Sequence, residues 1–95
     1  MTEMINQTLR VYEKNTGNKY FFIRKELQGL FDGLETFTIV CGHKRYPNKK
    51  ITLKSNGGSV SYFIFVHELF NDCDQIRKKD EIRFTIEDAR LVLHL

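Results

Sequence analysis

IRKKDEIRFTIEDARLVLHL, residues 76–95, decides how the rest of the chain is read. After a basic connector, Ile82, Phe84 and Ile86 alternate with Glu81, Arg83 and Thr85, the period of a strand with one buried face. Three turn residues, Glu87, Asp88 and Ala89, separate this run from a second apolar strand, residues 90–95. So short a link joins antiparallel neighbours, because a parallel crossover needs a dozen residues or more.

The same period recurs upstream. Residues 8–14 (TLRVYEK), 20–25 (YFFIRK), 35–42 (ETFTIVCG), 51–54 (ITLK) and 60–66 (VSYFIFV) read as further strands. Gly17 and the SNGGS segment, residues 55–59, mark turns, and HKRYPNKK, residues 43–50, reads as a basic turn around Pro47, the sole proline. Helical spacing is confined to residues 24–31, with Leu27, Leu30 and Phe31 on one face, and to residues 67–76 (HELFNDCDQI). The fold class expected is mainly β (α+β): about seven strands in an antiparallel pseudobarrel with two short helices. Phe37, Ile39, Phe63, Phe65, Ile82, Phe84 and Ile86 are its expected core.

A single domain is expected over 1–95, with residues 1–7 a flexible lead-in. At 95 residues, with 41% hydrophobic and 13% aromatic residues, the chain has material for one core. The N-terminus carries no apolar run, and no stretch is long enough to span a bilayer, so neither a signal peptide nor a membrane anchor is expected. Cys41 and Cys73, widely spaced and only two, fit reduced thiols and an intracellular setting, in cytoplasm or nucleus.

A weak echo links residues 20–39 with 62–86: an aromatic strand, a helix opening on Glu-Leu, then TFTI or RFTI. An internal pseudo-twofold is one reading of it. Chance similarity of short apolar-rich segments is the other.

The residues Lys79-Asp80-Glu81-Ile82 before RFTI, and Glu87-Asp88-Ala89-Arg90 before LVLHL, carry a family likeness. They resemble the end of the DNA-binding pseudobarrel of plant transcription factors and of the effector domains of some restriction endonucleases. They are also similar to the second half of AbrB/MazE-like swapped-hairpin domains. Lys79 and Ala89 stand where those families usually carry glycine. The resemblance implies double-stranded DNA as partner, with polar turns entering the major groove.

Charge agrees with a polyanion partner. A net +3 conceals a basic segment, since residues 10–54 hold ten Lys/Arg against four acids, while residues 55–95 hold five against seven. The candidate phosphate contacts are Arg10, Lys14, Lys19, Lys44, Arg45, Lys49 and Lys50, and Lys54, on the open face of its strand beside the basic turn, is a further candidate DNA contact. Asn15, Asn18 and Asn56, in the two polar turns, are the candidate base contacts. Turn formation alone also accounts for asparagine beside glycine, and solvation alone for a lysine-rich turn. Arg77, Lys78 and Lys79 are expected first to complement the dipole at a helix end.

Catalysis is not expected. Cys41-x-His43 and the His67/Cys73 pair lack the paired spacing of a zinc site, and no phosphate loop or nucleophile motif is present, so no metal or cofactor is expected. The function expected is non-catalytic recognition of double-stranded DNA, as a transcriptional regulator or a recognition module, by a monomer or homodimer. The alternative is a small protein-binding module, such as a phage-encoded inhibitor or an antitoxin, working through the acidic helix of residues 67–76.

Overall fold

β7 (Glu81–Glu87) and β8 (Arg90–His94) form the antiparallel hairpin that the closing segment predicts, with Phe84 opposite Leu93. Its two-residue turn needs positive φ at both central positions, and Asp88 and Ala89 supply it at 52° and 58°. The computed structural model describes residues 7–94. The expected flexible lead-in, 1–7, lies outside them except for Gln7, which is anchored by backbone and side-chain hydrogen bonds to Phe84.

Upstream of the hairpin come β1 (Thr8–Glu13), β2 (Lys19–Ile23), a 3-10 helix (Lys25–Phe31), β3 (Phe37–Cys41), β4 (Lys44–Lys49), β5 (Thr52–Asn56) and β6 (Ser59–Ile64). Two short helices follow, α1 (His67–Asp72) and α2 (Asp74–Arg77). The architecture is mainly β, one eight-stranded sheet curled into a half-barrel in the order β4-β3-β8-β7-β1-β2-β6-β5. Its two edge strands, β4 and β5, are neighbours in the chain, joined only by Lys50 and Ile51. Three residue steps reach at most about 11 Å, so the sheet must curl until its edges approach at this corner.

The second expected helix is split at Cys73 into α1 and α2, and two details of the sheet also depart from the sequence reading. The basic segment around Pro47 is a strand, β4, and not a turn, which raises the count among the described residues to eight. A bulge lets it accommodate the proline: the register slips between Phe37↔Lys49 and Ile39↔Tyr46, and Asn48 takes a φ of 59°. An edge position tolerates a residue without an N–H, and proline and lysines there discourage pairing with another chain. The sheet is also not wholly antiparallel, because β3 runs parallel to β8. These strands are remote in sequence, so no connection length announces their pairing.

The inner face is a continuous apolar core. Leu9, Phe21, Ile23, Ile39, Ile64, Leu69, Ile76 and Leu91 are fully buried, and Leu27 and Phe31 of the 3-10 helix join them. Phe31 packs on Phe84 with ring centroids 5.7 Å apart, and Phe70 of α1 packs on Phe21 at 4.9 Å. The helices therefore cover this inner side of the sheet. Phe37, Ile39, Ile82 and Phe84 take their expected core places, and Ile86 packs partly buried against them. Phe63 and Phe65 do not.

The echo has a structural counterpart over half the sheet. Each half of the chain runs hairpin, helix, hairpin, and the order β1-β2-β6-β5 maps onto itself when the halves exchange. Phe21 and Ile64, paired and both fully buried, sit at its centre. Matching of faces sets Tyr20 against Phe63, one residue off the match suggested by the letters. The symmetry stops at the second hairpins, since β7 pairs with β1 whereas β3 has no pairing with β5.

Candidate nucleic-acid interface

Strand alternation explains the outer face of β1, β2 and β6. With Val11, Phe21, Ile23 and Ile64 directed into the core, their neighbours Arg10, Tyr12, Tyr20, Phe22 and Phe63 must point the other way. Phe65, just beyond β6, joins them. Five rings thus form a connected layer: Tyr12–Phe22 and Phe22–Phe63 lie 5.5 and 5.6 Å apart, Tyr20–Phe63 and Tyr20–Phe65 5.6 and 5.4 Å. Tyr12 is exposed and the other four rings are half-buried. Aromatic contacts of this kind contribute about 0.5–1.5 kcal/mol each beyond area burial, so the layer steadies the sheet while keeping ring surface in water.

Cations frame these rings. Lys14, in the β1–β2 turn, holds its ammonium 4.3 Å from the centroid of Phe65. Lys54 reaches the outer face from β5, where it pairs with Ser61, and Arg10 lies directly opposite Phe22. A depression of about 490 Å³ opens between them, lined by Glu13, Lys14, Asn15, Tyr20, Lys54, Phe63 and Phe65. The two polar turns, after Lys14 and after Lys54, sit at opposite ends of the β1-β2-β6-β5 surface. At about 3.3 Å per residue, they are roughly 20 Å apart.

The remaining candidates are scattered. Asn18 is exposed in the first turn, and Lys19 donates a hydrogen bond to the carbonyl of Arg77, which ties that turn to α2. Lys44 and Lys49 lie on the helix side of β4 and face acids of α1. Lys49 is 3.0 Å from Glu68 and Lys44 is 3.7 Å from Asp72. The hydrogen bond from Lys49 is the main reason that the Glu68 carboxyl is held below its ordinary pKa. Tyr46, between these lysines, donates to Asp72 at 2.7 Å, and burial followed by that bond raises its phenol. Arg45 and Lys50 are exposed. Among the described residues Arg10, Lys14, Arg45, Lys50 and Lys54 take part in no ion pair. The side chain of Asn56 lies outside the described residues.

The four-cation cluster foreseen around Pro47 is therefore divided, two of its members being occupied with α1. The acidic helix is divided as well, because Glu68 and Asp72 are turned toward β4. The structure instead brings Lys14, Asn15 and Lys54 together over Tyr20, Phe63 and Phe65, the last two of which were expected in the core. A signal was present. YFFI and YFIF are apolar at both parities, yet the chain has only enough helix to cover one side of a sheet.

Among the described residues no group of three His, Cys, Asp or Glu side chains could hold a metal, and no helix is long and apolar enough to cross a membrane. Comparisons with protein-family models, with curated proteins and with solved structures give no match.

Proposed function

We propose that this chain is an intracellular, non-catalytic nucleic-acid-binding module, and that its working surface is the outer face of β1-β2-β6-β5. The observation that carries the reading is the convergence of Lys14, Lys54 and Asn15, from two segments 40 residues apart, on one depression. A polyanion is bound chiefly by neutralising its phosphates, and among the described residues these ammonium groups have no carboxylate within ion-pairing distance. Arg10 extends the positive frame along β1. Double-stranded DNA is the partner that the sequence resemblance implies, and the turns at the two ends of the face are the elements that would engage it.

A protein-binding role for the acidic helix is less well supported, since Glu68 and Asp72 are engaged by Lys49 and Lys44 of β4 and Asp74 by Arg77. The test is a band shift of the full chain with a random-sequence duplex at two salt concentrations. Binding that weakens steeply with salt is the expected result. Absence of any salt-sensitive binding to nucleic acid would overturn the proposal.

A further inference from the structure

The aromatic layer asks for more than phosphate neutralisation. A duplex hides the faces of its bases in its own stack, so it offers nothing that Tyr20, Phe63 and Phe65 could stack upon. Unpaired bases do offer faces, and proteins that hold single strands combine a cationic track with aromatic platforms. We infer that the depression floored by Tyr20, Phe63 and Phe65 and flanked by Lys14 and Lys54 binds unpaired nucleotides, with bases stacked on the rings and phosphates at the ammonium groups. The inference rests on the nucleic-acid reading above and specifies the form of its ligand.

Three observations bear on it. The rings stand on the side of the sheet opposite the helices, where Tyr12 is 40% exposed. The other four rings are half-buried and keep part of their surface toward water, and apolar surface rimmed by polar groups in this way suits a ligand. The charge beside the rings is positive on balance: Lys14 and Lys54 stand against Glu13 alone in the lining, and Arg10 lies on β1 opposite Phe22. This complementarity favours a polyanion over an apolar protein segment. The Lys14 ammonium lies over the Phe65 ring, 4.3 Å from its centroid, so a phosphate can meet a cation held on the platform itself, and a base stacking on Phe65 displaces that ammonium toward the phosphate.

The experiment measures anisotropy of dye-labelled dT20, U20 and a 20-base-pair duplex with the full chain, alongside Phe63→Leu/Phe65→Leu. Leucine keeps these positions apolar while removing the stacking surface. The expected result is binding of dT20, U20 or both about tenfold tighter than the duplex, with the variant losing roughly tenfold or more on the single strand only. Equal affinity for duplex and single strands, or an unchanged affinity in the variant, overturns the inference while leaving the nucleic-acid reading in place. If none of the three oligonucleotides binds, both fall. Should the variant fail to fold, tyrosine emission of the parent decides instead. The chain has no Trp, and quenching of that emission by dT20 but not by duplex is expected, whereas equal quenching or none overturns the inference.

Discussion

The sulfurs of Cys41 and Cys73 lie 3.6 Å apart as free thiols, one on β3 and the other at the junction of α1 and α2. Their separation in the chain suggested independence, yet the core brings them together. Burial, then the contact with Cys73, pushes the Cys41 thiol up to about 12. Since the thiolate is the reactive form, Cys41 is held unreactive at neutral pH and gains reactivity as pH climbs toward that value. Diamide should accept the two electrons and two protons of the pair and leave an intramolecular disulfide, faster at pH 9 than at pH 7. Intact mass and non-reducing mobility check it. Cys41→Ser should abolish the product, and a purely intermolecular disulfide in the parent would contradict the geometry.

Phe84 is 2% exposed and packs against Phe31, so Phe84→Ala removes a buried ring from the core. A loss of about 3–5 kcal/mol is expected, enough to unfold much of so small a domain. Phe65→Leu, on the outer face, should cost far less. Urea unfolding of the two variants makes the comparison, and equal losses would show that the outer rings are structural core.

Much of this core was legible because alternation is a local property. Ile82 and Phe84 were placed inward from their neighbours alone, and Ile39 likewise. Where both parities are apolar, as in YFFI and YFIF, alternation names no inner side, and Phe63 and Phe65 were assigned to the wrong face. The parallel pairing of β3 with β8 and the meeting of Cys41 with Cys73 are long-range outcomes of topology, written in no single segment. β4 was read as a turn because Pro47 and four cations disguise an edge strand, the position where proline is tolerated. The candidate site was half legible: Lys14, Asn15 and Lys54 were named, but their aromatic floor was not.

Ala89 carries a φ of 58° in the β7–β8 turn, a conformation costing an L-residue roughly 1–2 kcal/mol. Glycine relieves that strain, at the cost of a methyl group packed partly against the core. Ala89→Gly should therefore raise stability by up to about 1 kcal/mol, read from the urea midpoint at unchanged slope. A decrease would mean that the methyl contact outweighs the strain.

Glu68 provides a pH signature of the β4–α1 contact. Its carboxyl titrates below the ordinary value in the folded chain, mainly because Lys49 hydrogen-bonds to the charged form. Its stabilising contribution is therefore fully present above the unfolded value of about 4.3, and is lost as pH falls through the folded one. Thermal melts of Glu68→Gln and of the parent should differ at pH 7 and converge toward pH 3. A constant difference across that range would show that the ion pair contributes nothing.

Salt dependence can locate the phosphate contacts without a complex structure. Each contact releases counterions, giving a log–log slope of about 0.9 per phosphate for a duplex and about 0.7 for a single strand. Lys14 and Lys54 have no carboxylate within ion-pairing distance among the described residues, so each can neutralise a phosphate outright. Replacing both by glutamine should flatten the slope by roughly 1.4 on dT20, or by roughly 1.8 if a duplex is the ligand. Lys44 and Lys49 already stand 3.7 and 3.0 Å from Asp72 and Glu68, and a phosphate would have to displace those carboxylates. Their double replacement should change the slope by well under one unit while weakening the contact of β4 with α1. The measurement is affinity over a series of salt concentrations for the parent and both double variants. If the larger change follows the loss of Lys44 and Lys49, the basic edge strand is the binding site and the aromatic face is not.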